Sequence, residues 1–231
     1  MKHIGIVACS AEGAALCYQN ICRVALQWIG KNDHPRITLD SIPLAAWMPA
    51  FDAGDYRGVA RLMLDSARVL AAAGAGFAIC PDNSAHRAWD YVQAETPIPW
   101  LHIARVVGTE AVRRGHRRVG VLGTRFTMSG PVYRDALSAA GIDTVIPADQ
   151  DFETVDRIIF AELVDGVFKD SSRQAYNAII SRLRERGCDA VALACTEIPL
   201  LVRPEESPLP TLDSTRLLAE AALREAMASE Q

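Results

Sequence analysis

The stretch HIGIVACS at residues 3–10 is a short Val/Ile-rich run that opens into small and polar residues, and RVGVLGTR at 118–125 repeats it 115 positions later. A second pair, GAGFAICPDN at 74–83 and GCDAVALACT at 187–196, repeats at an offset of 113. Gly and small apolar residues fall in register in both pairs. Buried parallel strands resemble one another through burial alone, so strand-like composition is one explanation. Duplication of a whole half of the chain is the other.

Working outward from these pairs, short apolar runs bounded by Gly, Pro or Asp alternate with longer amphipathic stretches. The runs at 3–8, 37–42, 76–80, 118–123, 143–147 and 189–194 read as strands. Helical periodicity falls at 14–30, 55–73, 103–115, 130–140, 152–166, 172–186 and 214–228. Strand–helix alternation gives a parallel sheet covered on both faces. The expected fold is α/β: two similar doubly wound, Rossmann-like halves related by a pseudo-two-fold, with the active site in the cleft between them. The first half is expected to comprise 1–97 plus 212–231, and the second 98–211.

Composition narrows the function. The 231 residues are half hydrophobic, about a quarter charged, and carry a net charge of −4 from scattered acids, with no basic stripe for nucleic acid. No apolar run is long enough for a membrane helix, and MKHIGIVACSAEG is too short and polar-ended for a signal peptide. A cytoplasmic protein without nucleic-acid or membrane partners is the expectation. Cys9, Cys17, Cys22, Cys80, Cys188 and Cys195 contain no C-x-x-C pair, and the five histidines lack metal-ligand spacing to them, so no metal is expected. Three lysines leave few candidates for a pyridoxal Schiff base, and neither G-x-G-x-x-G nor a phosphate-binding P-loop occurs. The chemistry is therefore expected to run on side chains, with no cofactor.

The duplication sets Asp82 against Cys195 and Asn83 against Thr196, each just past a strand's C-terminal end, where open α/β sheets hold ligands. At these residues the chain resembles the aspartate/glutamate racemase superfamily. ALACTEIPLL at 192–201 is similar to that family's second cysteine motif, G-C-T-E. GVLGTRFTMSGPVYRDAL at 120–137 and RIIFAELVDGVFKDSSRQAYNAIISRL at 157–183 resemble its Thr-rich loop and its E-L-x-x-G region. DNSAH at 82–86 stands where the family has Cys-Asn-Thr-x-His, so Asp82 replaces the first catalytic cysteine.

The resemblance implies a cofactor-independent racemase or epimerase of an amino acid, with one thiolate removing the α-proton and a second thiol returning one from the opposite face. Cys195 matches the second thiol. For Asp82 three readings stand open. It replaces the first thiol; or Cys195 works alone in a one-sided decarboxylase, lyase or isomerase of a small carboxylic acid; or Asp82 only caps the helix that follows. In the third, Cys80, on the same side by strand alternation, reaches in instead. A non-catalytic carboxylate-binding domain is the alternative outside catalysis.

Deprotonation next to a carboxylate needs donors that strengthen as charge develops on it. Asn83, Ser84, Thr124, Thr127, Thr196 and Ser10 are the candidates, and each is also a residue type that caps helices. Lys169 is the candidate cation for a distal carboxylate, or else a solvated lysine. Trp47, in SIPLAAWMPAF at 41–51, is expected to line the pocket or to lie in the core or a subunit interface, and the lack of arginine there suggests a side chain less acidic than aspartate or glutamate, or an apolar one. Glu197 is placed behind Cys195, and His86 behind the first wall or in a structural role. The expected partner is a small carboxylate or amino acid. WDYVQAETPIPWLHI at 89–103 supplies aromatic residues for a homodimer interface, or for packing inside the chain.

Overall fold

The computed structural model describes residues 1–228, so the last three positions of the segment 212–231 lie outside the described residues. The chain forms two compact units, Met1–Ile103 with Thr215 onward, and Ala104–Ser214. The boundaries expected at 97/98 and 211/212 move to Ile103 and Ser214. The shift has a simple cause: two very short strands, not anticipated from the sequence, complete the two sheets.

The first unit holds β1 (Ile4–Ala8), β2 (Ile37–Ser41), β3 (Phe77–Ile79) and β4 (Trp100–Leu101), in the all-parallel order β2-β1-β3-β4. The second holds β5 (Arg118–Gly123), β6 (Asp143–Val145), β7 (Ala190–Ala194) and β8 (Thr211–Asp213), in the order β6-β5-β7-β8. These are one topology built twice, and the register agrees as well. Ile4 pairs with Phe77 as Val119 pairs with Ala190, and Ala78 pairs with Trp100 as Val191 pairs with Thr211.

Both added strands follow a Pro-x-Pro segment, Pro97-Ile98-Pro99 and Pro208-Leu209-Pro210. Proline gives no N–H to a ladder, yet its carbonyl still accepts. Ala78 N donates to Pro99 O at 2.8 Å and Val191 N to Pro210 O at 2.9 Å. The second proline thus starts each strand pairing where a sequence reading sees a loop.

The helices are α1 (Ala11–Trp28), α2 (Leu44–Asp52), α3 (Tyr56–Ala72), α4 (Trp89–Glu95), α5 (Ile103–Arg113), α6 (Arg125–Met128), α7 (Pro131–Ala139), α8 (Asp149–Ala161), α9 (Asp170–Glu185), α10 (Ile198–Leu201) and α11 (Ser214–Met227). Three are started by a side chain that accepts a free N–H: Ser10 from Gly13 N at 3.3 Å, Asp55 from Gly58 N at 2.9 Å and Thr124 from Thr127 N at 3.3 Å. No helix among the described residues is long and apolar enough to cross a membrane.

Packing repeats along with topology. Leu70 of α3 lies over Gly5 of β1, and Leu183 of α9 lies over Gly120 of β5. A Cβ on Gly5 would meet Leu70 Cδ1 at 3.1 Å, and one on Gly120 would meet Leu183 Cδ1 at 2.8 Å. Glycine lets the helix settle closely on the central strand in both units. The second unit's core then runs through Leu122, Val155, Ile159, Tyr176, Leu183 and Leu193 to Cys195 and Ile198.

Candidate active site

In each sheet the third strand ends in a short turn, and the turns are Asp82-Asn83-Ser84 and Cys195-Thr196-Glu197. In the first unit Asp82 is half-buried and Asn83, Ser84 and His86 are buried. Asp82 Oδ1 accepts the Ala85 N–H at 2.8 Å and so starts the 3₁₀ turn Ser84–Ala88. His86 ties this turn down. Its Nε2 accepts the Ile103 N–H at 3.3 Å, which leaves Nδ1 protonated to donate to Asp82 O at 2.8 Å. His86 also lies edge-on to His102, with ring centroids 4.6 Å apart.

Cys80 is fully buried at the end of β3. Burial first, and then the charge of Asp82, push its thiol well above the ordinary range. It is a neutral thiol at neutral pH. Of the three readings of Trp47, pocket lining, core or subunit interface, its burial matches the core. It is fully buried, its Nε1 donates to Ile42 O at 3.1 Å, and its ring stacks on Phe51 at 6.4 Å. A helix begun at Leu44 turns this indole into the core of the first unit, away from any solvent-reachable surface. Trp89 and Trp100 are half-buried and meet edge-to-face at 6.3 Å, with Trp100 Nε1 donating to Thr96 Oγ1 at 2.7 Å.

In the second unit Cys195, Thr196 and Glu197 are all buried. Cys195 Sγ donates to Glu197 Oε2 at 3.0 Å, and Thr196 Oγ1 donates to the same oxygen at 2.8 Å. Two tyrosines that the sequence reading did not single out stand near the thiol. Burial raises the Tyr133 phenol, with Asp213 and Cys195 adding to the rise and its hydrogen bond with Ser214 opposing it. Burial likewise raises Tyr176, with Cys195, Asp156 and Glu162 adding. Tyr176 OH donates to Val155 O at 3.2 Å, and Ser214 Oγ donates to Leu193 O at 2.8 Å. Both tyrosines lie on helices whose apolar periodicity marks them as core, so nothing in the pattern separates them from packing residues.

Thr124 and Thr127 lie together past β5, their hydroxyl oxygens 3.3 Å apart. Ser10 holds the corresponding cap past β1. The side chain of Lys169 is mostly exposed. Its Nζ is 3.3 Å from Glu162 Oε1, while Ser172 Oγ donates to Glu162 Oε2 at 2.6 Å. The Ser172 bond first, and then Lys169, hold the Glu162 carboxyl below the usual carboxylate range. All six cysteines carry free thiols. Among the described residues, no group of three or more His, Cys, Asp or Glu side chains is placed to hold a metal ion.

The fold and these turns define a duplicated α/β protein with a titratable side chain, Asp82 or Cys195, at the same position of each half. The chain belongs to the Asp/Glu/Hydantoin racemase family, whose model matches residues 5–222. It is 26% identical over 194 residues to the broad specificity amino-acid racemase RacX of Bacillus subtilis (strain 168), covering 83% of this chain and 82% of that one. A crystal structure of a candidate Asp/Glu racemase from Yersinia pestis matches it with a TM-score of 0.91 at 32% identity, over 99% of this chain and 100% of that one. An aspartate racemase homologue from Pyrococcus horikoshii OT3 matches with a TM-score of 0.87 at 28% identity, over 99% and 100% of the two chains. Family membership places the protein among isomerase-type enzymes.

Proposed function

We propose that this protein is a cofactor-independent amino-acid racemase in which Asp82 and Cys195 act on opposite faces of one α-carbon. The observation that carries the reading is positional. The two side chains occupy one and the same turn of a fold built twice, with matching strand order and register. One removes the α-proton, and the electron pair of the C–H bond passes into the adjacent carboxylate. The other delivers a proton to the opposite face. Both directions use the same two groups.

The developing charge on the substrate carboxylate needs several donors. Asn83 and Ser84 stand beside Asp82 in sequence, Thr196 stands beside Cys195 and must turn its O–H from Glu197 to reach a substrate, and Ser10, Thr124 and Thr127 stand at the first strand–helix turn of each unit. A hydroxyl that accepts a cap bond through its oxygen still has its O–H to donate. We assign an aspartate- or glutamate-like amino acid, or a less acidic one, as substrate. Lys169 supplies the cation for a distal carboxylate, and its pairing with Glu162 offsets that charge, which widens the range toward less acidic side chains. The printed name of the Bacillus subtilis relative, a broad specificity racemase, agrees with such a range.

The cap bond from Ala85 N–H to Asp82 favours a second reading, in which Asp82 is structural and Cys195 works alone as a one-sided decarboxylase, lyase or isomerase. One experiment separates the two: incubation of pooled L-amino acids in D₂O, with mass and chirality followed together. Deuterium gained with inversion supports the racemase. Deuterium gained with full retention supports Cys195 acting on one face. No exchange into any amino acid removes the racemase reading and leaves a different carboxylate or a binding role.

A further inference from the structure

We infer that Glu197 holds Cys195 in its protonated form in the resting protein, so that the base presented by the resting form is Asp82, and the Cys195 thiolate appears only after turnover or at higher pH. The inference rests on the racemase reading above and assigns its starting polarity. The two matching turns carry the argument. Position by position they read Asp-Asn-Ser and Cys-Thr-Glu. In the first, the carboxylate is itself the acid–base group and Ser84 lies two residues on. In the second, a thiol takes that place and a carboxylate lies two residues on, folded back onto it.

Glu197 Oε2 lies 3.0 Å from Cys195 Sγ inside a buried turn. Two negative centres at that separation, shielded from water, cannot both be ionised, so one proton is shared between them. Carboxylic acids give up a proton several pH units below thiols, at about 4.3 against about 8.5. Thr196 Oγ1 donates to the same oxygen at 2.8 Å, so that oxygen accepts from both neighbouring side chains. The shared proton therefore sits on sulfur.

The other groups near Cys195 do not reverse this. Tyr133 on α7 and Tyr176 on α9 are neutral phenols, and Asp213 at the end of β8 is acidic. Asp156 and Glu162, which face Tyr176, are paired with Arg125 and Lys169.

The cycle follows with its protons balanced. Asp82 takes the α-proton as the Cα–H bond breaks. Cys195 gives its S–H proton to the opposite face and keeps the electron pair as thiolate. That thiolate, 3.0 Å from a carboxylate, is the high-energy form, and it regains a proton from water while Asp82 loses one. Glu197 acts as a positioning residue that sets the resting form.

The test needs no substrate and is independent of any racemase assay. Thiolate ultraviolet absorbance is titrated with pH and read as the difference between each protein and its Cys195→Ala counterpart, which isolates this one thiol. The expected midpoint lies above the ordinary thiol value of about 8.5. In Glu197→Gln, whose amide keeps the size and removes the charge, it falls by at least about one pH unit, a tenfold rise in thiolate at neutral pH. Glu197→Asp keeps the charge and a midpoint above the ordinary value. A low midpoint in the parent protein, or an unmoved one in Glu197→Gln, overturns the inference. If exchange in D₂O fails while this titration behaves as expected, the racemase reading falls and the protonation assignment stands.

Discussion

Cys80 and Asp82 are two residues apart, and they separate the first unit's packing from its chemistry. Cys80 is fully buried with its thiol pushed up by burial and by Asp82. Cys80→Ala should therefore leave turnover within about twofold and cost about 1 kcal/mol or more of stability, as loss of a small buried side chain does. A kcat that collapses while the fold persists would bring back the arrangement in which Cys80 reaches the substrate. At this scale the matching positions of Asp82 and Cys195 were legible because both stand past a strand end inside a repeat, and their roles rest on the proposal above. The sequence left Trp47 open between pocket and core, since a turn rich in apolar residues looks alike whether it lines a pocket or closes a core. The orientation was decided by a helix starting at Leu44, whose own signals are blurred by Pro43 and Pro49. Tyr133 and Tyr176 were invisible as site residues because their helical spacing is that of ordinary core positions.

Among the elements, the Gly–Leu contact made once in each sheet gives a direct stability test. Adding a methyl group at Gly120 puts it 2.8 Å from Leu183 Cδ1, inside a packed core. Gly120→Ala should cost about 1–3 kcal/mol in chemical denaturation, the usual penalty for overpacking. An unchanged midpoint would mean that α9 does not rest on β5 as described. A second test lies on α5. Hydrogen bonds from Arg113 at 2.6 and 2.7 Å, joined by Arg114 at 2.6 Å, hold the Glu110 carboxyl down to about 2. Because that is below its unfolded value, the stabilisation is present above about pH 4.5. It is lost as pH falls toward 2. Both arginines are substantially exposed, so solvent screening limits the effect to about 1–2 kcal/mol. Glu110→Gln should lose that amount at pH 7, and the gap from the parent protein should close on acidification. A gap that stays constant from pH 7 to about pH 2 would contradict the assignment. Six of the eight strands and seven of the eleven helices among the described residues were readable from periodicity. β4 and β8 were not, because two or three residues after a Pro-x-Pro carry no periodic signal and their pairing is set by a neighbour far along the chain.

For the molecule as a whole, the duplication is the fact from which the rest follows. It was visible as two sequence offsets, 115 and 113, and the structure extends it to strand order, register, the Pro-x-Pro starts and the Gly–Leu packing. The duplication also explains how the unsymmetrical pair proposed above sits on a symmetrical scaffold: equivalent turns read Asp-Asn-Ser and Cys-Thr-Glu. The substrate side chain leaves a weaker trace, since Lys169 is one surface cation already paired with Glu162. The measurement that bears most directly on the central claim is α-proton exchange in D₂O by Asp82→Asn and Cys195→Ser, each assayed separately with the L- and the D-enantiomer of the substrate. If the two groups serve opposite faces, both variants lose racemisation by about 10²-fold or more, the usual weight of one positioned acid–base group. Each then retains exchange with one enantiomer only, and the retained enantiomer is opposite in the two variants. Full racemisation by Asp82→Asn, or the same enantiomer retained by both variants, would contradict the account.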